Sequence, residues 1–232
     1  MDLENRAGQD EKFEVLRRYF GYTAFRTGQE TIVDALISGR DALCVMPTGA
    51  GKSICYQVPA LLLPGVTLVI SPLISLMQDQ VEALTQAGVR AAYLNSTLTP
   101  AQYARALQNA ESGAYKIIYA APERLSTEGF RAVCARLKIS LVAVDEAHCV
   151  SQWGQDFRPD YLRIAEFVAS LSERPVVGAF TATATKAVRA DMAALLELRE
   201  PVRVTTGFDR PNLSFEVLRP DDKQRELTYL LS

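Results

Sequence analysis

Pro47-Thr48-Gly49-Ala50-Gly51-Lys52-Ser53 sets two glycines, a lysine and a hydroxyl in the order that a phosphate-binding loop needs. Gly49 and Gly51 admit backbone conformations that turn successive amides from Thr48 through Ala50 toward one point, an anion nest at a helix N-terminus. Lys52 would reach the β- and γ-phosphates of a nucleotide, and the Ser53 hydroxyl would hold a magnesium ion. The full pattern G-x-x-x-x-G-K-[ST] is not met, because Met46 stands where its first glycine would be. The bland alternative is a glycine-rich helix start that binds nothing. The aliphatic segment before the loop and the Gly-Lys-Ser that closes it favour the phosphate site.

Downstream, Asp145-Glu146-Ala147-His148 follows the aliphatic run Leu141–Val144. Two adjacent acids in such a place can divide the work. Asp145 would hold magnesium, often through water, while Glu146 would orient and polarise an attacking water. Alone, an Asp-Glu pair after a strand is more often a solvated turn; the phosphate loop upstream makes it a catalytic pair. His148 is the chain's one histidine. Its place in the box points to a hydrogen-bond link with the cluster Thr181-Ala182-Thr183-Ala184-Thr185, where Thr185 would also cap the helix from Lys186.

These residues need elements to hold them. Short apolar runs alternate with amphipathic stretches, the pattern of a parallel sheet covered by helices. Strands are expected at Ala42–Met46, Thr67–Ile70, Ala91–Leu94, Lys116–Ala120, Leu141–Asp145, Val176–Phe180 and Val202–Thr205. Most are near-continuous aliphatic segments, as when both faces of a sheet are covered. Helices are expected at Glu11–Phe20, Gln29–Ile37, Gly51–Leu62, Leu73–Ala87, Pro100–Glu111, Thr127–Leu137, Tyr161–Ser170 and Lys186–Leu195. Thr99 before Pro100 is a natural helix start. The expected fold class is α/β, a doubly wound and mostly parallel sheet with helices on both faces. Both motifs then lie at carboxyl ends of strands, where open parallel sheets bind ligands.

Composition narrows the classes. At 232 residues the chain suits one large domain, or one with a short extension, and 48% hydrophobic residues supply an ample core. No apolar run approaches the ~20 residues of a membrane span, and the polar N-terminus is no secretory signal. A cytoplasmic protein is expected, nucleoid-associated if bacterial. Cys44, Cys55, Cys134 and Cys149 form no C-x-x-C pair, so reduced, buried thiols and no zinc site are expected. A net charge of -2 gives no general electrostatic case for nucleic acid, so any such role must come from local features. Near the end, Phe208–Leu213 reads as an extended connector, followed by a strand at Ser214–Leu218 and a helical start at Asp222–Leu231. Nothing closes that helix before Ser232, so a cut chain or a fragment lacking its next domain is expected.

Phe20-Gly21-Tyr22, Phe25-Arg26, Gly28-Gln29, MPTGAGKS, SPLISLMQDQ, APERL, DEAHCVSQWGQDFRPDY, TATAT and FDRPN occur in this order. The chain, from about Phe13 to Leu213, resembles the first RecA-like motor domain of a superfamily 2 helicase, specifically of the RecQ family. The resemblance implies a RecA-like P-loop NTPase domain over residues 1–208, with an adenine-recognition segment at 13–38. It makes 209–232 a connector and the start of a second RecA-like domain. Tyr22 and Arg26 would sandwich the adenine, and Gln29 would hydrogen-bond its edge. Without the resemblance, Tyr22 and Phe25 read as core aromatics and Arg26 as a surface charge.

Ser151–Pro159 resembles the family's aromatic-rich loop, which couples DNA binding to ATP hydrolysis. The chain's one tryptophan, Trp153, lies there with Phe157 and Arg158 in a polar, non-periodic segment. Aromatics so placed can stack on unpaired bases; the alternative is that Trp153 plugs a local core. The family commonly has histidine where this chain has Gln155, which cannot become charged. Ser71, Asn95 and Arg124 resemble the family's single-strand contact motifs, although Glu123 and Arg124 could equally form a surface ion pair. Thr181 and Thr183 join these as DNA-binding or coupling residues.

The resemblance therefore implies Mg-ATP as cofactor, single-stranded and forked DNA and a second RecA-like domain as partners, and no membrane. The implied activity is 3′-to-5′ unwinding in DNA repair and recombination. Alternatives are an RNA helicase or double-strand translocase with the same ATP motifs, or a non-catalytic nucleotide-binding module.

Overall fold

A computed structural model of the chain describes residues 3–154, 156–207, 217–218 and 222–230, with residues 3–9 and 226 by backbone alone. Seven strands form one sheet: β1 (Ala42–Val45), β2 (Val66–Ile70), β3 (Ala91–Leu94), β4 (Ile117–Ala120), β5 (Ile139–Val144), β6 (Val176–Thr181) and β7 (Val202–Thr205). Their order is β3-β4-β2-β5-β6-β1-β7, and every described pairing is parallel. β1, β2 and β4 are buried along their whole length, which is why they carry aliphatic residues without alternation.

The helices are α1 (Leu3–Phe20), α2 (Gln29–Ile37), α3 (Ile54–Leu62), α4 (Ile74–Gln86), α5 (Pro100–Glu111), α6 (Glu128–Cys134), α7 (Arg163–Ala169), α8 (Lys186–Leu195) and α9 (Lys223–Leu230). On one face of the sheet α2, α3 and α4 bury Leu36, Tyr56 and Met77 against Cys44, Val69, Ala143 and Phe180. On the other, α5 to α8 bury Ala110, Phe130, Phe167 and Met192 against Val45, Ile70, Val142 and Ala179. The sheet is thus doubly wound and all-parallel among the described residues, somewhat purer than the mostly parallel one expected.

Local chemistry sets several boundaries. Thr99 and Gln102 form a reciprocal capping box at the start of α5, with Pro100 in the first turn. Thr185 accepts from Val188 N–H and caps α8. α3 begins at Ile54 and not at the expected Gly51, because Gly51 sits at φ +79, outside helical space. The helix expected from Tyr161 begins at Arg163, since Pro159–Leu162 forms a separate 3₁₀ turn. The connector expected at Phe208–Leu213 and most of the strand expected at Ser214–Leu218 lie outside the described residues. Val217 and Leu218, which are described, are not in a strand.

Sheet order positions the site. β6 lies between β1, which leads into the phosphate loop, and β5, which leads into the acidic box. The threonines at the end of β6 therefore separate the two motifs in space.

Candidate active site

The phosphate loop leaves β1 at Met46, whose N–H bonds Thr181 O at 3.0 Å. Gly49 (φ +82) and Gly51 (φ +79) take the left-handed conformation that only glycine adopts without strain. A side chain at position 51 would also collide with Gln29, its Cβ falling 2.6 Å from Nε2. Lys52 Nζ donates to Met46 O at 3.2 Å, so the ammonium folds back over the loop.

The segment before α2 braces this loop. Arg26 Nη1 donates to Gly49 O (2.6 Å), and Gln29 Nε2 donates to Ala50 O (2.9 Å) and Gly51 O (3.0 Å). Gln29 Oε1 accepts from Arg26 N–H at 2.8 Å. Gln29 is 3% exposed, and its amide hydrogens are committed to the loop, with acceptor capacity remaining on Oε1. Tyr22 is half exposed. Glu30 and Asp34, beside Gln29 on α2, hold the buried ammonium of Lys12 on α1. Tyr22, Arg26, Gln29, Thr48, Lys52, Ser53, Asp145 and Glu146 all line one cleft of about 580 Å³. That volume suits a nucleotide-sized ligand.

Asp145 follows β5 directly and is 6% exposed, with its N–H on Ile70 O at 2.8 Å. Its carboxylate accepts a long bond from Ser71 Oγ at 3.4 Å and is also met by the backbone of Glu146. Burial first, then the neighbouring Glu146 charge, pushes its carboxyl up to about 6. Glu146 has φ +45, a left-handed position rare outside glycine, and it starts the 3₁₀ turn Ala147–Val150. His148 Nδ1 lies 2.7 Å from Thr181 Oγ1 and 3.3 Å from Glu146 Oε2, with Cys149 Sγ 3.9 Å from Nε2. The sulfur first, then the Glu146 carboxylate, push the imidazole up to about 10. His148 in turn holds Glu146 below the usual glutamate range. Thr181 Oγ1 passes the chain on to Thr183 O at 3.1 Å.

The donor set suits magnesium. A serine hydroxyl and a carboxylate facing one cleft are hard oxygen ligands, and Mg²⁺ takes few protein ligands while keeping several waters. Ser53 and Asp145 are the residues that would hold it.

Beyond the box the chain turns outward. Trp153 is 79% exposed, so it plugs no core. Phe157 is half-buried. Gly154 packs so closely on the turn that a Cβ there would lie 2.4 Å from His148 O. Ser151 Oγ accepts from Trp153 N–H (3.2 Å) and donates to Asp191 of α8 (2.6 Å). Arg158 N–H bonds Cys149 O at 2.9 Å, while its guanidinium holds Asp156 (2.9 Å) and Pro72 O (3.3 Å). Gln155 lies outside the described residues.

The other expected contact residues are spread out. Ser71, Asn95 and Thr181 are buried, while Thr183 is exposed. Ser71 and Thr181 bond within the protein; Asn95 Oδ1 accepts from Thr97, and its Nδ2 has no partner among the described residues. Arg124 donates to Asn95 O (2.8 Å) and stacks over Tyr103 (4.7 Å), so its partners differ from the Glu123 considered above. Sequence reasoning missed Lys12, Asp191 and Tyr161, whose hydroxyl bonds the Asp145 carbonyl at 2.9 Å. Only Tyr161 stood inside a quoted motif, and no spacing rule marks a hydroxyl that serves a backbone.

The family model of DEAD/DEAH box helicases matches residues 26–190. The chain is 48% identical to the ATP-dependent DNA helicase RecQ of Bacillus subtilis over 91% of its own length and 36% of that protein. It is 45% identical to the RecQ of Pasteurella multocida, over 88% of the chain and 32% of the relative. Identity to the ATP-dependent helicase wrn-1 of Caenorhabditis elegans is 42%, over 94% of the chain and 21% of the relative. The chain thus spans about a third of the length of the two RecQ relatives. The crystal structure of a hypothetical ATP-dependent RNA helicase from Sulfolobus tokodaii superposes with TM-score 0.65 at 23% identity, over 84% of this chain and 57% of that one. The DUF1998 helicase MrfA bound to DNA gives 0.66 at 18%, over 85% and 29%. Both likenesses speak for the fold alone, a RecA-like α/β domain. With the loop, box and threonines gathered at one end of that sheet, the chain belongs to the DEAD/DEAH box helicase family, with its strong sequence similarity to RecQ helicases.

Proposed function

We propose that this chain is the ATP-binding motor domain of a RecQ-type 3′-to-5′ DNA helicase, coupling Mg-ATP hydrolysis to translocation on single-stranded DNA and unwinding. One observation carries the reading. The exposed Trp153 loop is hydrogen-bonded into the same turn that holds Glu146 and His148 against Thr181, so a base-stacking surface and a water-activating group share one small unit.

On this reading the loop amides and Lys52 cradle the phosphates. Glu146, kept ionised by His148, polarises the attacking water. Tyr22, Arg26 and Gln29 recognise the base, and Arg26 and Gln29 also brace the loop. Ser53 and Asp145 would hold magnesium, which would supply neutralising charge at the phosphates. A second RecA-like domain is the expected partner and supplies an arginine worth on the order of 10³–10⁵ in rate. Forked and single-stranded DNA in repair and recombination are the expected substrates, in the cytoplasm or nucleoid. The 232-residue chain by itself is expected to bind nucleotide weakly, hydrolyse it poorly and not unwind DNA.

The test is ATPase stimulation of the complete protein by single-stranded DNA, duplex DNA and RNA, compared side by side. Preference for single-stranded DNA is expected. Stimulation by RNA or duplex alone, or indifference to all three, sinks the proposal.

A further inference from the structure

Tyr161 is fully buried on the 3₁₀ turn Pro159–Leu162, where the Trp153 loop ends. Its hydroxyl donates to the backbone carbonyl of Asp145 at 2.9 Å. Burial first, then the nearby Cys149 and Asp145, push the phenol well above its ordinary value, so the group remains a donor. The same turn is tied to the loop. Tyr161 N–H bonds Arg158 O at 3.0 Å, and Arg158 N–H bonds Cys149 O at 2.9 Å. Arg158 also reaches Pro72 O, in the segment after β2. The Asp145 peptide is therefore held from two directions, by Ile70 O through its N–H and by Tyr161 through its carbonyl. The first anchor belongs to the rigid sheet. The second belongs to the segment that carries the loop.

We infer that Tyr161 is a positioning residue: its hydroxyl conveys the placement of the Trp153–Arg158 loop to the backbone of Asp145, and so to the carboxylate beside the phosphates. This rests on the proposed motor function. It differs from the Glu146–His148–Thr181 chain, which runs through side chains on the other side of the box and touches the water-activating group. Tyr161 acts on the backbone of the ligand that would hold the cation. A phenylalanine there keeps the ring in its apolar surroundings and removes only the link.

The experiment is steady-state ATPase of the complete protein with and without saturating single-stranded oligonucleotide, for wild type, Tyr161→Phe, Trp153→Ala and the double variant. Tyr161→Phe is expected to lower the ratio of stimulated to basal rate about fivefold, the scale of one lost hydrogen bond. Its affinity for a fluorescent oligonucleotide should stay within about twofold of wild type. The double variant should be no less stimulated than the worse single variant, because both changes interrupt one route. An unchanged ratio, or fully multiplicative losses in the double variant, overturns the inference. Should Tyr161→Phe prove unfolded by its thermal midpoint, fluorotyrosine at position 161 replaces it, retaining ring and hydroxyl while changing donor strength. A changed ratio then supports the link and an unchanged one refutes it. A wild-type protein that single-stranded DNA does not stimulate instead overturns the motor reading beneath.

Discussion

Two buried aspartates sit at opposite ends of the same sheet, and their surroundings differ sharply. Asp41, just before β1 and 3% exposed, accepts from Val177 N–H (2.8 Å), Arg199 N–H (2.7 Å) and both terminal nitrogens of Arg174 (3.1 and 2.7 Å). Asp145, just after β5, is nearly as buried but has fewer partners: Ser71 Oγ at 3.4 Å and the backbone of Glu146. Each has a cation in its neighbourhood. Arg174 is spent on Asp41, whereas Lys52 turns to Met46 O and leaves Asp145 without a direct ion pair. A saturated carboxylate ties strands together. A buried one with weaker compensation, whose carboxyl is pushed up to about 6 by burial and the Glu146 charge, marks a place kept for chemistry.

That contrast can be broken experimentally. The largest effect is expected for the unspent cation: Lys52→Ala should lower ATP turnover of the complete protein by about 10³-fold or more, with little change in thermal midpoint. Unchanged turnover would remove Lys52 from the site. Next, Asp41→Ala should destabilise the fold by about 3–5 kcal/mol in urea titration, since it strands the Arg174 charge and two backbone donors. Turnover per folded molecule should survive, and if it vanishes the division between the two aspartates fails.

Asp145→Asn should act in the opposite direction. The folded protein keeps its Asp145 proton up to about pH 6, while the unfolded chain releases it near the ordinary 3.8. Stability present below the lower value is lost as pH rises through the upper one, by on the order of 2–3 kcal/mol. Without divalent metal, the asparagine variant should therefore match wild type near pH 4 and exceed it at pH 7, while losing Mg-nucleotide binding. Equal stability at both pH values would show that Asp145 is better compensated than its bonds suggest. The smallest stability effect belongs to Trp153→Ala, within about 0.5 kcal/mol, because the indole stands in solvent. Its cost should fall instead on single-stranded DNA affinity, at roughly 1–3 kcal/mol by fluorescence titration.

Much of the fold was legible because it rests on local pattern. Aliphatic runs marked all seven strands, and Thr99-Pro100 marked a helix start that the structure closes with Gln102. The loop and the acidic box were legible as linear motifs whose residues are neighbours in the chain. What stayed hidden was pairing at a distance. Nothing in the sequence joins Asp41 to Arg174 and Arg199, Ser151 to Asp191, or Lys12 to Glu30 and Asp34. The bracing of Ala50 and Gly51 by Gln29 was hidden for the same reason: a side chain expected at a base edge also has loop carbonyls within reach. Ser71 and Asn95 show a related limit, since residue type after a strand does not tell whether the side chain turns inward.

The placement of β6 between β1 and β5 has a metric consequence. Neighbouring strands lie about 4.8 Å apart, so the strands that lead into the phosphate loop and the acidic box are separated by two such steps, roughly 10 Å. On the proposed function, that interval is a ruler laid across a polyphosphate chain and its cation. Sensitivity to the presence of the last phosphate would then be set by backbone hydrogen bonds of the sheet, which side-chain substitution leaves in place. Thr181, at the end of β6, stands at the midpoint of that ruler, 2.7 Å from the His148 ring.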